Sequence, residues 1–308
     1  MSVENRPKII VIIGQTASGK KKLAERLLNA NPHIRFISAD SRKIYKYLDI
    51  GTDKPQGALK EHFALIDIIE PCMQYSAEEF RKDAEKEIER ALNTGEIPIV
   101  IGGTPLYLLA LFEGFFEHKK DENVRKMLED RLKEEGVNTL YSELRQVDPR
   151  RAKEINPNDA YRIKRALEVY YTTGLPMSEI MQYRKPARYL PVYIGIKWER
   201  KILYERINKR VDRMIENGLV EEVKKLLDMG VKENCPGMKT IGYREIIAYL
   251  KGEMSLKEAI KKVKKNTRIY ARRQEYFFKH FKDVEWFEWH EHTNIIRKVT
   301  DDFERRDK

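Results

Sequence analysis

Gly14-Gln15-Thr16-Ala17-Ser18-Gly19-Lys20-Lys21 follows the apolar run Ile9 to Ile13 and opens a helical pattern in which Leu23, Leu27 and Leu28 share a face. Glycine, four residues, then Gly-Lys between a strand and a helix is the spacing at which backbone N–H groups wrap a diphosphate. The helix dipole adds positive potential, and Lys20 reaches the phosphate oxygens. A short all-apolar strand running into such a loop starts an α/β, P-loop NTPase-like parallel sheet. Lys21 breaks the pattern, because Ser or Thr stands there in the motif and its hydroxyl is the usual protein ligand of magnesium.

Outward from the loop, strand and helix signals alternate. Ile34 to Ile37 reads as a second strand and Ile97 to Ile101 as another buried one. Ser76 with Glu79 forms a capping box, and Gly95 closes that helix. Gly102-Gly103 leads to Thr104 as N-cap, with Pro105 at the first helical position. From Asp121 to Gly174 the pattern is helical without a strand: one helix runs Glu122 to Glu135 and stops at Gly136, and another opens after Asn158-Asp159 and closes near Gly174. A strand returns at Val192 to Ile196, and helices dominate from Lys201 to His280. The expected organisation is a P-loop core over 1–116 and 190–308, with helical C-terminal elements, interrupted by a helical insertion over 117–189.

At 308 residues and 41% hydrophobic, the chain has enough for a substantial core. Its net charge of +11 favours a polyanionic partner without naming one. Cys72 and Cys235 are too isolated for a cysteine framework and are expected as reduced thiols. The first residues carry no signal-peptide pattern, and no run approaches the ~18 apolar residues of a membrane span, so no membrane partner and a cytoplasmic location are expected.

Asp40-Ser41 directly follows the second strand, at the edge where ligands of such folds bind. Its carboxylate suits metal binding or proton abstraction as well as it suits a helix cap. Arg162 and Arg165 lie three apart on one helix face, the ordinary arrangement of a solvated surface. Lys261, Lys262, Lys264, Lys265, Arg268, Arg272 and Arg273 form the strongest basic cluster, on a helix opened by a Ser255/Glu258 capping box and interleaved with Tyr270, Tyr276, Phe277 and Phe278. Cations of this kind suit a phosphate backbone, while the aromatics are expected in the core rather than against bases.

Taken together, these segments resemble the tRNA dimethylallyltransferases, also called tRNA isopentenyltransferases. The resemblance rests on Gly14 to Lys20, Ser38-Ala39-Asp40-Ser41, Asp49-Ile50-Gly51-Thr52 with Lys54-Pro55, and Gly102-Gly103-Thr104 with Leu106-Tyr107. It continues through Asn156-Pro157-Asn158-Asp159 with Arg162, Ile241-Gly242-Tyr243-Arg244-Glu245, and Asn266-Thr267-Arg268 with Arg273-Gln274. Order and spacing agree from about Ile9 to Phe278.

The resemblance implies transfer of a dimethylallyl group from dimethylallyl diphosphate to the N6 amine of the adenosine 3′ of a tRNA anticodon. The loop, Gly14, Gln15, Thr16, Ala17, Ser18, Gly19, Lys20 and Lys21, with Arg210, would hold the donor diphosphate; Asp40, Thr16 and Lys20 would be catalytic. Asp40, Ser41, Arg42, Lys43, Thr104, Arg125, Tyr161, Arg162, Ile163, Lys164 and Arg165 would contact the tRNA anticodon arm. The target base would leave its stack to reach the donor, Mg²⁺ is the implied cofactor, and a monomer is expected.

Lys21, Asn156, Gln15 and Glu275-Tyr276-Phe277 depart from the family pattern. Three accounts of Lys21 are open: its charge partly replaces that of magnesium, it points into solvent while another group holds the ion, or the chain is a weakened paralogue that still binds tRNA. The competing functions are a small-molecule or nucleotide kinase, an adenylate isopentenyltransferase, and a non-enzymatic tRNA-binding protein.

Overall fold

In the computed structural model of this chain, residues 6–114, 121–183 and 186–304 are described. The chain divides into two compact units, Met1–Phe112 with Arg188–Lys308, and Glu113–Ala187. In chain order, the first unit begins with β1 (Lys8–Gly14), α1 (Lys20–Ala30), β2 (Ile34–Ala39), α2 (Ala58–Glu61), β3 (Phe63–Ala64), α3 (Ala77–Asn93), β4 (Ile97–Gly102) and α4 (Pro105–Phe112). The second unit holds α5 (Glu122–Val147), α6 (Pro149–Glu154), α7 (Ala160–Thr173) and α8 (Met177–Ile180). The first unit resumes with β5 (Leu190–Lys197), α9 (Arg200–Glu216), α10 (Leu219–Asp228), α11 (Tyr243–Leu250), α12 (Leu256–Phe278), β6 (Glu285–Glu288) and α13 (His292–Glu304).

The six strands form one sheet in the order β3-β2-β4-β1-β5-β6, with every pair parallel. Ile9 to Ile13 are fully buried because β1 is central and covered on both faces, as its unbroken apolar run requires. On one face Ile10, Ile12, Phe36, Ile99 and Ile194 pack against Leu23 and Leu27 of α1 and against Ile295 and Val299 of α13. Since all strands run the same way, Gly14, Ala39, Gly102 and Lys197 end at one sheet edge, which brings the loops after β1, β2, β4 and β5 together.

The capping boxes at Ser76/Glu79 and Ser255/Glu258 are both formed. β3, β6 and α13 lie outside the sequence expectation: β3 has two residues, and in β6 only Phe287 is buried. A second core gathers Leu48, Leu219, Val223, Met238, Tyr243 and Ile246. There the Glu222 carboxylate accepts the N–H groups of Asp49 (3.1 Å), Ile50 (2.8 Å) and Gly51 (3.3 Å), together with the Tyr243 hydroxyl. That one carboxylate fixes the Asp49-Ile50-Gly51-Thr52 turn.

The cysteine expectation is corrected, for Cys72 and Cys235 are joined by a disulfide with their Cα atoms 4.4 Å apart. The backbone already brings the segments together, since Gly237 N–H donates to the Pro71 carbonyl at 2.9 Å. Sequence separation of 163 positions concealed that proximity.

In the second unit α5 is broken at Gly136, whose φ of 80° and ψ of 167° are non-helical, as the glycine stop predicts. Asp159 caps α7 by accepting the Arg162 N–H, and Gly174 ends the helix at φ 72°. Leu128, Leu140, Leu144, Ile163 and Leu167 form this unit's own core. No helix among the described residues is long and apolar enough to cross a membrane.

Candidate active site

The loop after β1 turns tightly: Ser18 N–H donates to the Gln15 carbonyl at 3.1 Å, Ala17 sits at φ 62°, and Gly19 at φ 102° begins α1. Gly19 is required twice over, by its left-handed backbone and because an added Cβ would come within 2.7 Å of the Trp289 ring. The Lys20 ammonium folds over the loop and donates to the carbonyls of Gly14 (2.6 Å) and Gln15 (2.9 Å). Its pKa is pulled down to about 7, chiefly by burial and further by Lys43 and Arg210, against the opposing pull of Asp40.

Side chains distant in sequence brace this loop. Trp198, just after β5, donates its indole N–H to the Ser18 carbonyl at 2.8 Å, and Arg206 donates to the Ala17 carbonyl at 2.9 Å while lying 4.1 Å over the Trp198 ring. Gln15 donates its amide to the Ala271 carbonyl at 2.9 Å. Gln274 is 3% exposed; its oxygen accepts the Thr16 N–H at 2.8 Å and its amide donates to the Gly103 carbonyl at 2.6 Å. Gln274 therefore ties the β1 loop to the β4 loop.

Thr16 thus has its amide committed to Gln274 and its hydroxyl to Arg210, whose guanidinium donates to it at 2.8 Å. Asp53, held at φ 54°, takes the Lys21 ammonium on one oxygen and stands 3.8 Å from Arg210 Nε on the other. Burial opposes ionisation of Asp53, but Arg210, Lys43 and Lys21 outweigh it and hold the carboxyl below its usual range. Arg210 Nε is buried without a hydrogen-bond partner among the described residues.

Across from the loop, the Asp40 carboxylate accepts the Arg42 N–H at 2.9 Å in the turn after β2. Ser41 N–H donates to the Thr104 hydroxyl at 3.0 Å, which joins the β2 and β4 loops. Tyr270 places its hydroxyl 3.5 Å from the Gly103 carbonyl, and its pKa is pushed up to about 12 by burial and by Asp40. Burial pushes the Lys43 ammonium down. Lys20, Lys21, Lys43, Asp40, Asp53 and Arg210 all line one open cavity of about 1880 Å³. Such a pocket can take a polyanion on its cationic loop and offer a carboxylate to a second substrate.

The implied magnesium finds no suitable protein donor at its usual place. Position 21 carries an ammonium, and that ammonium occupies the Asp53 carboxylate. No three His, Cys, Asp or Glu side chains among the described residues converge to hold an ion. Position 21 therefore does not supply the usual ligand, and the Lys21 ammonium is paired with Asp53 although its side chain stays 37% exposed.

In the second unit, Arg125 donates to Glu168 (2.7 Å) and Glu122 (3.0 Å), and Arg165 meets the same buried Glu168 at 2.9 Å. Lys164 pairs with Glu129, whereas Tyr161 is 77% exposed and Arg162 is half exposed, 3.5 Å from Asp159. The Ile163 side chain is fully buried in the core of its unit, on the apolar face of α7. Of the basic cluster on α12, Lys264 pairs with Asp212 and Arg268 donates to Asn208 at 2.7 Å. Phe278 is core as expected, while Tyr276 and Phe277 are exposed.

Gln274, Asp53, Trp198 and Arg206 are site residues that carried no role in the sequence. Only Gln274 lay within a matched motif. The other three had no spacing that tied them to the loop.

The IPP transferase family matches residues 43–281. A tRNA dimethylallyltransferase of Thermoanaerobacter sp. (strain X514) is 45% identical over 294 residues, covering 91% of each chain. One from Acetivibrio thermocellus is 45% identical over 286 residues, covering 90% of each. Among solved structures, the tRNA isopentenylpyrophosphate transferase of Bacillus halodurans is 35% identical with a TM-score of 0.71, over 98% of both chains. A eukaryotic dimethylallyltransferase acting on tRNA is 28% identical with a TM-score of 0.78, over 92% of this chain and 74% of the other.

Proposed function

The chain belongs to the IPP transferase family and is a tRNA-prenylating enzyme, and from that premise we propose that its donor is dimethylallyl diphosphate and its acceptor the N6 amine of the adenosine 3′ of the anticodon. The observation that carries the reading is the shared cavity, in which the cationic β1 loop and the Asp40 carboxylate at the end of β2 face the same space. The loop amides, Lys20 and Arg210 take the diphosphate, and Asp40 takes a proton from the adenine amine.

In the transfer, the N6 lone pair forms a bond to the allylic carbon as the carbon–oxygen bond to diphosphate breaks. The N6 proton passes to Asp40, and the electron pair leaves on diphosphate. Charge grows on the leaving oxygen, where Lys20 and the start of α1 lower the barrier. Thr104, hydrogen-bonded to Ser41, and Arg42 and Lys43 beside Asp40 form the acceptor side of the first unit. In the second unit, Tyr161 and Arg162 supply the accessible tRNA contacts of α7, while Arg125 and Arg165 shape that surface through Glu168.

Phosphoryl transfer is the poorer reading, since position 21 lacks the hydroxyl that chemistry places on magnesium. Incubating the protein with unmodified tRNA and dimethylallyl diphosphate, and separately with labelled ATP, tests the choice. Prenylated adenosine beside the anticodon is the expected product, and transfer of label from ATP without prenylation overturns the reading.

A further inference from the structure

Lys21 stands where a magnesium-ligating hydroxyl belongs, and its ammonium is not free. Asp53 holds it, and the other oxygen of the same carboxylate lies 3.8 Å from Arg210 Nε. Arg210 reaches back to the Thr16 hydroxyl of the loop at 2.8 Å. Asp53 thus gathers two cations at the mouth of the phosphate loop from a left-handed backbone position, φ 54°.

The charge balance of the cavity points the same way. Thirteen Lys and Arg side chains line the cavity against six Asp and Glu, so its wall carries a surplus of cations, Lys21 and Arg210 among them. Arg210 Nε is buried and has no hydrogen-bond partner among the described residues, the Asp53 carboxylate lying 3.8 Å away, so it keeps a donor for a bound anion. A divalent cation entering beside Lys21 would be repelled by the ammonium and would compete with it for Asp53.

We propose that Lys21, positioned with Arg210 by Asp53, is the resident counter-charge for the donor diphosphate, so that this enzyme binds its donor and turns over with little dependence on a divalent metal. The proposal rests on the reading of the β1 loop as a diphosphate site. Lys21 meets the diphosphate directly, and Asp53 is a positioning residue acting through Lys21 and Arg210.

The test is calorimetric titration of the full-length protein with dimethylallyl diphosphate, without tRNA, in EDTA and in millimolar magnesium, for the wild type, Lys21→Thr and Lys21→Met. Wild-type affinity is expected to change less than about threefold between the two conditions. In EDTA, Lys21→Thr and Lys21→Met should each bind roughly 10- to 100-fold more weakly, the scale of one charged hydrogen bond. Magnesium should restore Lys21→Thr, which regains the hydroxyl ligand, more than Lys21→Met. A wild-type affinity that falls tenfold or more in EDTA overturns the role of Lys21 and leaves the loop's function standing; that comparison needs no variant. Failure of the wild type to bind the donor in either condition overturns the diphosphate reading itself, and this proposal with it.

Discussion

Replacing Gln274 with leucine strands one buried and one half-buried backbone group while keeping the side-chain size, which isolates what the amide contributes. The Thr16 N–H loses its acceptor at 2.8 Å, and the Gly103 carbonyl loses its donor at 2.6 Å. A buried unsatisfied polar group costs about 1–3 kcal/mol, and the Gly103 carbonyl keeps the Tyr270 hydroxyl nearby, so its share falls at the low end. The sum is about 2–4 kcal/mol, concentrated at the junction of the β1 and β4 loops. Hydrogen exchange at the Thr16 amide reads it locally, which matters because a chain of two compact units need not unfold in one step. Exchange should accelerate by roughly 30- to 1000-fold, since each 1.4 kcal/mol is a factor of ten. Gln274→Glu, which keeps an acceptor for Thr16 and loses the donor to Gly103, should fall between wild type and leucine. Thr16 exchange and unfolding midpoint both unchanged in the leucine variant would refute the bracing role.

Donor binding should be coupled to proton uptake, because Lys20 has its pKa near 7 when free and an adjacent diphosphate raises it. At about pH 8 free Lys20 is mostly neutral and bound Lys20 charged, so titration in buffers of different ionisation enthalpy should show uptake approaching one proton, fading below about pH 6; zero uptake at the higher pH would contradict this. Trp198→Phe removes the donor to the Ser18 carbonyl but keeps a ring beneath Arg206, so chemical denaturation should show a loss of about 1 kcal/mol rather than a collapse. Reducing the Cys72–Cys235 bond, whose partners are 163 positions apart, should lower stability by about 2–5 kcal/mol, and identical midpoints with and without reductant would show that the bridge contributes nothing.

What the sequence made legible was local. The strand–loop–helix at Gly14 to Lys20, the two capping boxes and the glycine stops at Gly136 and Gly174 are each written within a few residues, and each formed as read. Asp40 and Thr104 were placed at strand ends, and parallel pairing then carried both to the edge that holds the loop. The remainder depends on contacts across the fold. Gln274 reaches Thr16 over 258 positions and Trp198 reaches Ser18 over 180, and neither pairing leaves a periodic trace. Lys21 was visible as an anomaly, but its meaning waited on Asp53, whose left-handed turn no spacing announces. The Ile163 side chain lies in the core, as its place on the apolar face of α7 argued.

The proposed transfer centres on Asp40 taking the adenine proton while the β1 loop holds the leaving diphosphate. The most direct measurement is the single-turnover rate of prenyl transfer to unmodified tRNA by Asp40→Asn, at saturating dimethylallyl diphosphate, alongside donor affinity for the same variant. Loss of a general base predicts a rate lower by about 10²- to 10⁴-fold with donor affinity nearly unchanged. A transfer rate equal to that of the wild type would contradict the assignment.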